Sequence, residues 1–262
     1  TVVDDLYFDD RIDLLEEMPA YLVKRIMTQR GERERHLINQ FLKYKDDSAG
    51  SLMTIEFVDL HKNMTIREAM QRIRRDAMDK ETVYDCYVID EERHLDGIIT
   101  LKDIILAPGD VLVEDIMSEQ PIYVTTGDDQ EMVADLFQKY DLMAAPVTDT
   151  ENRLVGIITF DDIMDVFEEE ATEDIMKMSA ITPSQDSYMD MGVRKIAKAR
   201  IPWLLILMIS ATVTGLIIDS YKEALSAVVV LASFIPMLMD TGGNAGSQAS
   251  TTIIRAITLN EV

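Results

Sequence analysis

Residues 201–218 read IPWLLILMISATVTGLII, an uncharged run of 18 residues that predicts a membrane-spanning helix. A helix of that length rises roughly 27 Å, about the thickness of the hydrocarbon core of a bilayer. A polar turn at residues 219–223 follows, and within 225–254 Asp240 is the only charged residue. The pattern predicts two spans, the second of which carries an acid.

The charges around the first span predict its orientation. Four basic residues lie shortly before it: Arg194, Lys195, Lys198 and Arg200. An excess of Lys and Arg marks the cytoplasmic side of a span, so we expect the preceding residues in the cytoplasm and the turn outside. Arg255 marks the return to the cytoplasm. We therefore predict a multi-pass protein of the cell (inner) membrane, with membrane lipid as a partner.

The negative charge is concentrated before the spans. The formal net charge is -23, and residues after Arg200 hold only four acids and two bases. A surface this acidic repels nucleic acid, so we expect no nucleic-acid partner, and it attracts divalent cations. The single cysteine, Cys86, cannot form an internal disulfide. Because the sequence begins at Thr1 and stops eight residues after the second predicted span, we expect it to be part of a longer protein.

The first 50 residues show helical periodicity. The apolar positions are Leu14, Leu15, Met18, Leu22, Ile26, Leu37, Ile38, Phe41 and Leu42. Pro19 is well placed to begin a helix and Gly31 to end one, so the pattern predicts two or three amphipathic helices. These residues are too few for an independent core. We expect the segment to pack on another part of the protein, or to be the end of a longer helical domain.

An internal repeat occupies residues 51–112 and 113–172. Residues 97–103 read GIITLKD and residues 156–162 read GIITFDD, a constant offset of 59 residues. Each copy has the pattern of a helix, two short β-branched strands and another helix, which predicts an α/β unit. We expect the two copies to pack face to face around a shared core.

Each copy resembles a CBS domain, a module that usually binds adenine nucleotides. In that family, an ending that resembles G-x-x-T/S-x-x-D contacts the ribose and phosphate of the nucleotide. The resemblance implies ATP or another adenine nucleotide as a ligand, and it implies these binding residues: Thr100, Lys102, Asp103, Thr159 and Asp162. The alternative is that each Thr–Asp pair only caps a helix. Asp85 stands where an apolar or aromatic face for adenine is expected, and it argues against binding.

A dense acidic run follows the second copy. Its members are Asp161, Asp162, Asp165, Glu168, Glu169, Glu170, Glu173 and Asp174, and no basic residue lies among them. Like charges one helical turn apart cost a few tenths of a kcal/mol per pair, which a divalent cation would relieve. Oxygen ligands favour Mg²⁺ or Ca²⁺ over zinc. The alternative is a solvated helix face without a metal. The run is expected to continue into a connecting helix over 173–200.

The second span contains unusual residues for a membrane helix. Pro236 and the run GGNAGSQ at 242–248 weaken a helix, which is tolerated in a membrane where the backbone lines a watery path. Asp240, Asn244 and Gln248 share one face at i, i+4 and i+8. An intramembrane acid is costly and should face such a path. The alternative is close helix packing through small residues.

Together these features closely resemble the MgtE-type magnesium channels over nearly the whole chain. The resemblance implies a multidomain fold: a helical stub (1–50), two CBS domains (51–112 and 113–172), a connecting helix (173–200) and the first two of five transmembrane helices (201–262). It also implies a homodimer whose Mg²⁺ sites hold the cytoplasmic part closed. From their uncompensated charge, we expect these acids of the acidic run to bind Mg²⁺: Asp162, Asp165, Glu170, Glu173 and Asp174. The resemblance implies Asp10 and Asp141 as further ligands. The predicted pore-lining residues are Asp240, Gly243, Asn244, Ser247 and Gln248.

Two functions compete at this point. The first is a Mg²⁺-gated magnesium channel whose cytoplasmic domains sense Mg²⁺ and nucleotide. The alternative is a nucleotide-sensing CBS module that is tethered to the membrane and transports nothing. A mere anchor would not need the polar face of the second span. An enzyme is not expected, because the sequence contains no nucleophile elbow, P-loop or zinc-ligand spacing.

Overall fold

The computed structural model describes residues 6–179, 181–184 and 191–258. The described residues form two compact units, which divide between Phe167 and Glu168. The first unit begins with three helices, as predicted: α1 (Phe8–Glu17), α2 (Ala20–Gln29) and α3 (Glu32–Phe41). Pro19 directly precedes α2, and Gly31 separates α2 from α3.

The three helices share a core with the second repeat. Phe8 and Phe41 meet edge to face, with ring centroids 4.7 Å apart. Both are buried in one cluster with Val133, Phe137 and Ile163 of the repeat. The expectation that this segment packs on another part of the protein is therefore confirmed, since burial of its apolar face requires the repeat.

Each repeat forms a three-stranded sheet. The first repeat consists of α4 (Ala49–Leu52), β1 (Val58–Leu60), α5 (Ile66–Asp76), β2 (Asp85–Ile89), β3 (Leu95–Thr100) and α6 (Leu101–Leu106). The second repeat consists of β4 (Val124–Thr125), α7 (Gln130–Tyr140), β5 (Ala144–Thr148), β6 (Leu154–Thr159) and α8 (Phe160–Met178). In both sheets the central strand pairs in parallel with the first strand and antiparallel with the third. Sequence analysis missed β1 and β4, because runs of three and two residues are too short to show alternation.

The sheets meet face to face, and the repeated glycines lie where the copies touch. A Cβ on Gly97 would stand 2.6 Å from the Ser118 carbonyl oxygen, and one on Gly156 would stand 2.7 Å from that of Thr54. Both distances are shorter than any tolerated contact. The 59-residue repeat therefore keeps glycine because a backbone segment of the other copy crosses there.

The connecting segment differs from the prediction of one helix over 173–200. Helix α8 ends at Met178, residues 181–184 are not helical, and α9 (Val193–Ser220) begins after Gly192. The predicted continuous helix is thus wrong over this stretch. The physical reason is Pro183, which removes a backbone donor and disfavours the helical conformation of Thr182.

The second unit contains the predicted spans. Among the described residues, α9 is the one helix long and apolar enough to cross a bilayer, judged by length and composition. The region of the second predicted span is divided into α10 (Lys222–Ala227), a 3-10 turn (Val229–Ser233) and α11 (Phe234–Thr258). Helix α11 has 25 residues, but its polar side chains lower its apolar character. A second span stays a prediction.

Candidate functional site

Several carboxyl groups raise one another's pKa where α1 packs on the second repeat. Asp9, in the first turn of α1, is only 8% exposed. Its Oδ1 accepts no hydrogen bond from any residue that the structure describes. Burial, together with the charge of Asp162 in the first turn of α8, raises the pKa of Asp9 to about 7. Helix α1 therefore places a poorly solvated acid against another acid.

Glu81 adds a third acid from the segment before β2. Burial, followed by the charges of Asp9 and Asp162, raises the pKa of Glu81 to about 8. Its Oε2 is buried and has no hydrogen-bond partner among the described residues. Asp10 and Asp161 also raise the pKa of Asp162, after burial. We call these five residues the acid cluster: Asp9, Asp10, Glu81, Asp161 and Asp162.

Nearby basic side chains do not offset the cluster. The Arg11 guanidinium donates to the Glu34 carboxylate at 3.3 Å and to the Leu6 carbonyl oxygen at 2.8 Å. Arg11 and Lys80 act to lower the pKa of Glu56, yet burial still raises that pKa overall. Excess negative charge thus stays inside a partly buried interface, where a bound cation would relieve the repulsion.

The two Thr–Asp endings have the same local geometry but different surroundings. The Thr159 hydroxyl donates to Asp162 Oδ2 at 2.6 Å, and Asp162 belongs to the acid cluster. The Thr100 hydroxyl donates to Asp103 Oδ2 at 2.5 Å, with exposed Lys102 between them in sequence. In the first repeat the Asp103 N–H also donates to the Thr100 hydroxyl oxygen. Thr100 thus caps α6, whereas in the second repeat the Thr159 N–H donates to Asp162 Oδ2 at 3.4 Å. At the position of Lys102, which could attract a phosphate, the second repeat has Asp161.

The remaining metal candidates are spread over the surface. Asp141 is the exposed C-terminal cap of α7, with a left-handed φ of 52°. Asp165 is exposed on α8. Of these candidates, Asp10 lies near enough to Asp162 for its charge to raise the pKa of Asp162.

The end of the acidic run is partly compensated, unlike the prediction. Glu170, Glu173 and Asp174 lie beyond the division of α8 between the two units. Lys177 Nζ lies 2.5 Å from Glu173 Oε1, one helical turn away. The hydrogen bond that Lys177 donates to Glu173, together with the charges of Glu173, Asp174 and Glu170, raises the pKa of Lys177. Sequence analysis stopped at residue 174 and so overlooked this base.

The predicted pore-lining residues all lie on α11: Asp240, Gly243, Asn244, Ser247 and Gln248. The Asn244 amide donates to Asp240 Oδ2 at 3.3 Å. The shared face of these two residues is therefore confirmed.

Sequence analysis missed Asp9 and Glu81. Asp9 carried a weak signal, because it follows Phe8 and precedes Ile12 by three positions on the buried side of α1. Glu81 carried none. It lies outside the regular helices and strands, and only the fold brings it beside α1 and α8.

Comparison with known proteins places these features in a family. The sequence profile of the MgtE intracellular N domain matches residues 1–47, and the CBS domain profile matches 49–110 and 113–169. The magnesium transporter MgtE of Thermus thermophilus is 41% identical over 258 residues, which cover 97% of this chain and 57% of that protein. That of Bacillus subtilis is 35% identical over 254 residues, covering 97% and 56%. The chain thus spans about half the length of these relatives.

Two solved structures each match nearly two thirds of this chain. The soluble part of a magnesium transporter is 41% identical, with a TM-score of 0.63 over 64% of this chain and 66% of that one. The cytosolic domain of the Mg²⁺ channel MgtE in complex with ATP is also 41% identical. Its TM-score is 0.60 over 63% of this chain and 68% of that one.

Proposed function

Because the chain belongs to the MgtE family of magnesium transporters, we propose that it forms the Mg²⁺-sensing part and the first spans of a Mg²⁺-gated channel. The observation that carries the proposal is the Asp9 carboxyl, which is buried near Asp162 and whose Oδ1 has no hydrogen-bond partner among the described residues. The whole protein would be a multi-pass homodimer of the cell membrane that carries Mg²⁺ and catalyses no reaction.

The acid cluster accounts for sensing by a simple balance of charge. Without a cation, docking of α1 brings Asp9, Glu81 and Asp162 together in a poorly solvated place, which is unfavourable. Mg²⁺ prefers oxygen ligands and binds proteins through one or two carboxylates while it keeps several waters. A Mg²⁺ ion would therefore stabilise the docked form, by a free energy that grows with the logarithm of its concentration above the dissociation constant. The channel would close as cytoplasmic Mg²⁺ rises.

Exposed apolar side chains support the proposed homodimer. Met132, Tyr140 and Met164 lie on α7 and α8 and are 43–52% exposed. Apolar side chains that cluster on a surface mark interaction sites. We propose that a second copy covers them.

The first repeat would sense nucleotide, while the second repeat would serve the cation. Lys102 follows Thr100 in the first repeat, whereas Asp161 holds the matching position in the second. A triphosphate would be attracted by the lysine and repelled by the acid cluster. The alternative of a tethered module without transport is not needed, because the polar face of α11 has no role in a mere anchor.

Saturable ATP binding tests the nucleotide site. Titration of the chain in detergent should show binding that Asp103→Ala weakens at least roughly tenfold, since hydrogen bonds to a charged group contribute about 1.5–3 kcal/mol. Thr159→Ala in the second repeat should leave the affinity unchanged. Absence of heat at millimolar concentrations of any nucleoside triphosphate would mean that Thr100 and Asp103 are only helix caps.

Thiol accessibility tests the proposed path. In a cysteine-free version of the full-length protein, a cysteine at Asn244 should react with a small water-soluble thiol reagent, because its face of α11 would line water. Mg²⁺ should slow the reaction. A cysteine at Leu231 is the matched control for a lipid-facing position, and equal reaction rates at the two positions would contradict the path.

A further inference from the structure

Asp85 lies beside the Thr100–Asp103 pair in the first repeat. In the register of β2 and β3, Asp85 stands opposite Thr100. Opposite residues of an antiparallel pair project from the same sheet face, with Cβ atoms about 5 Å apart. The next pair on that face is Tyr87 and Ile98, which belong to the apolar contact between the sheets. Asp85 and Thr100 thus form the polar margin of that contact.

The second repeat provides an internal comparison. There Ala144 stands opposite Thr159 in β5 and β6. The two repeats otherwise share this corner closely: the Leu101 N–H donates to the Tyr84 carbonyl oxygen, and the Phe160 N–H donates to that of Met143. The carboxyl group is therefore an addition of the first repeat, which the fold itself does not require.

Charge fixes how a nucleotide would lie at this corner. The phosphates would be repelled by Asp85 and attracted by exposed Lys102, which follows Thr100 by two positions in the first turn of α6. With the ribose at Asp103, the base would point toward Asp85.

We propose that Asp85 reads the base in the first repeat and makes the nucleotide site at Thr100 and Asp103 prefer a guanine nucleotide to ATP. The inference rests on the proposed nucleotide function. A carboxylate has two acceptor oxygens and no donor. Guanine presents two adjacent donors, N1–H and N2–H, which match a carboxylate, whereas adenine places a ring acceptor beside its amino group and repels one oxygen. Burial raises the pKa of Asp85, so its charged form gains from donors that a ligand brings.

Binding of three nucleotides to the chain in detergent tests the proposal by calorimetry. GTP should bind roughly tenfold more tightly than ATP, as expected for one bidentate pair. ITP lacks the N2 amino group and should fall between them. Asp85→Ala should bring the three affinities together. Asp85→Asn, whose amide offers one donor and one acceptor, should favour ATP. The charge-matched control, Asp110→Asn on an exposed loop, should preserve the order.

The outcomes separate the base preference from the site itself. Asp103→Ala should weaken all three nucleotides alike. If Asp103→Ala abolishes binding while Asp85→Ala and Asp85→Asn leave the GTP to ATP ratio unchanged, the site stands and the base reading is wrong. If no nucleotide binds, both the nucleotide function and the base reading are overturned.

Discussion

At about 10 mM Mg²⁺, protection of the chain against trypsin is expected to fall from roughly tenfold in the wild type to roughly twofold in the Asp162→Asn variant. The first figure assumes a dissociation constant of about 1 mM, and the second assumes a tenfold weaker site, equivalent to about 1.4 kcal/mol. The cleavage sites are exposed Lys43 and Lys45, which link α3 to α4. Undocking of the three N-terminal helices would free this link.

The comparison uses each variant's own cleavage rate without Mg²⁺ as its reference. This matters because Asp162→Asn also removes a repelling charge and so favours docking in the absence of the ion. Asp9→Asn should behave like Asp162→Asn, whereas Glu32→Gln, exposed on α3 and outside the acid cluster, should retain the wild-type protection. Equal Mg²⁺ protection in all four proteins would make the acid cluster an ordinary interface.

Without divalent cations, the stability of the docked form is expected to fall as the pH rises from about 5 to about 8. The pKa values of Asp9 and Glu81 are raised to about 7 and about 8. Between the ordinary carboxyl pKa and these values, the folded state holds more protons than the unfolded state, so unfolding becomes easier with rising pH. Below the ordinary carboxyl pKa, Asp9 and Glu81 cause no loss of stability, and above a pH of about 8 the loss is complete.

Glu81→Gln is expected to remove a large part of this pH dependence. The effect should be about 1–2 kcal/mol at pH 8, well below the full value of the pKa shift, because Glu81 is only partly buried and solvent screens its charge. Chemical denaturation of the chain in detergent at several pH values would measure it, with Glu32→Gln as the control. Mg²⁺ should flatten the wild-type profile, since it replaces the bound protons. A profile that Glu81→Gln leaves unchanged would show that Glu81 ionises normally.

Features set by local chemistry could be predicted from the sequence. Thr100 caps α6 because its short side chain reaches a free backbone N–H of the first turn, that of Asp103. The Asp103 side chain in turn accepts a hydrogen bond from the Thr100 hydroxyl. The uncharged run at 201–218 predicted α9, because length and apolarity are local properties. The interruption after Met178 was missed although Pro183 was visible, because the acidic periodicity was extended past it.

By itself, the sequence determined the two repeats, their capped endings and the apolar span, since each depends on residues a few positions apart. Only the tertiary structure decided which acids meet. Asp9, Glu81 and Asp162 come from three distant parts of the chain, and their pKa values depend on burial that arises when α1 packs on the second repeat. The same holds for Asp85, which became a neighbour of Thr100 through the register of two strands. Desolvation and charge repulsion act between atoms close in space, so they follow the fold and not the order of residues.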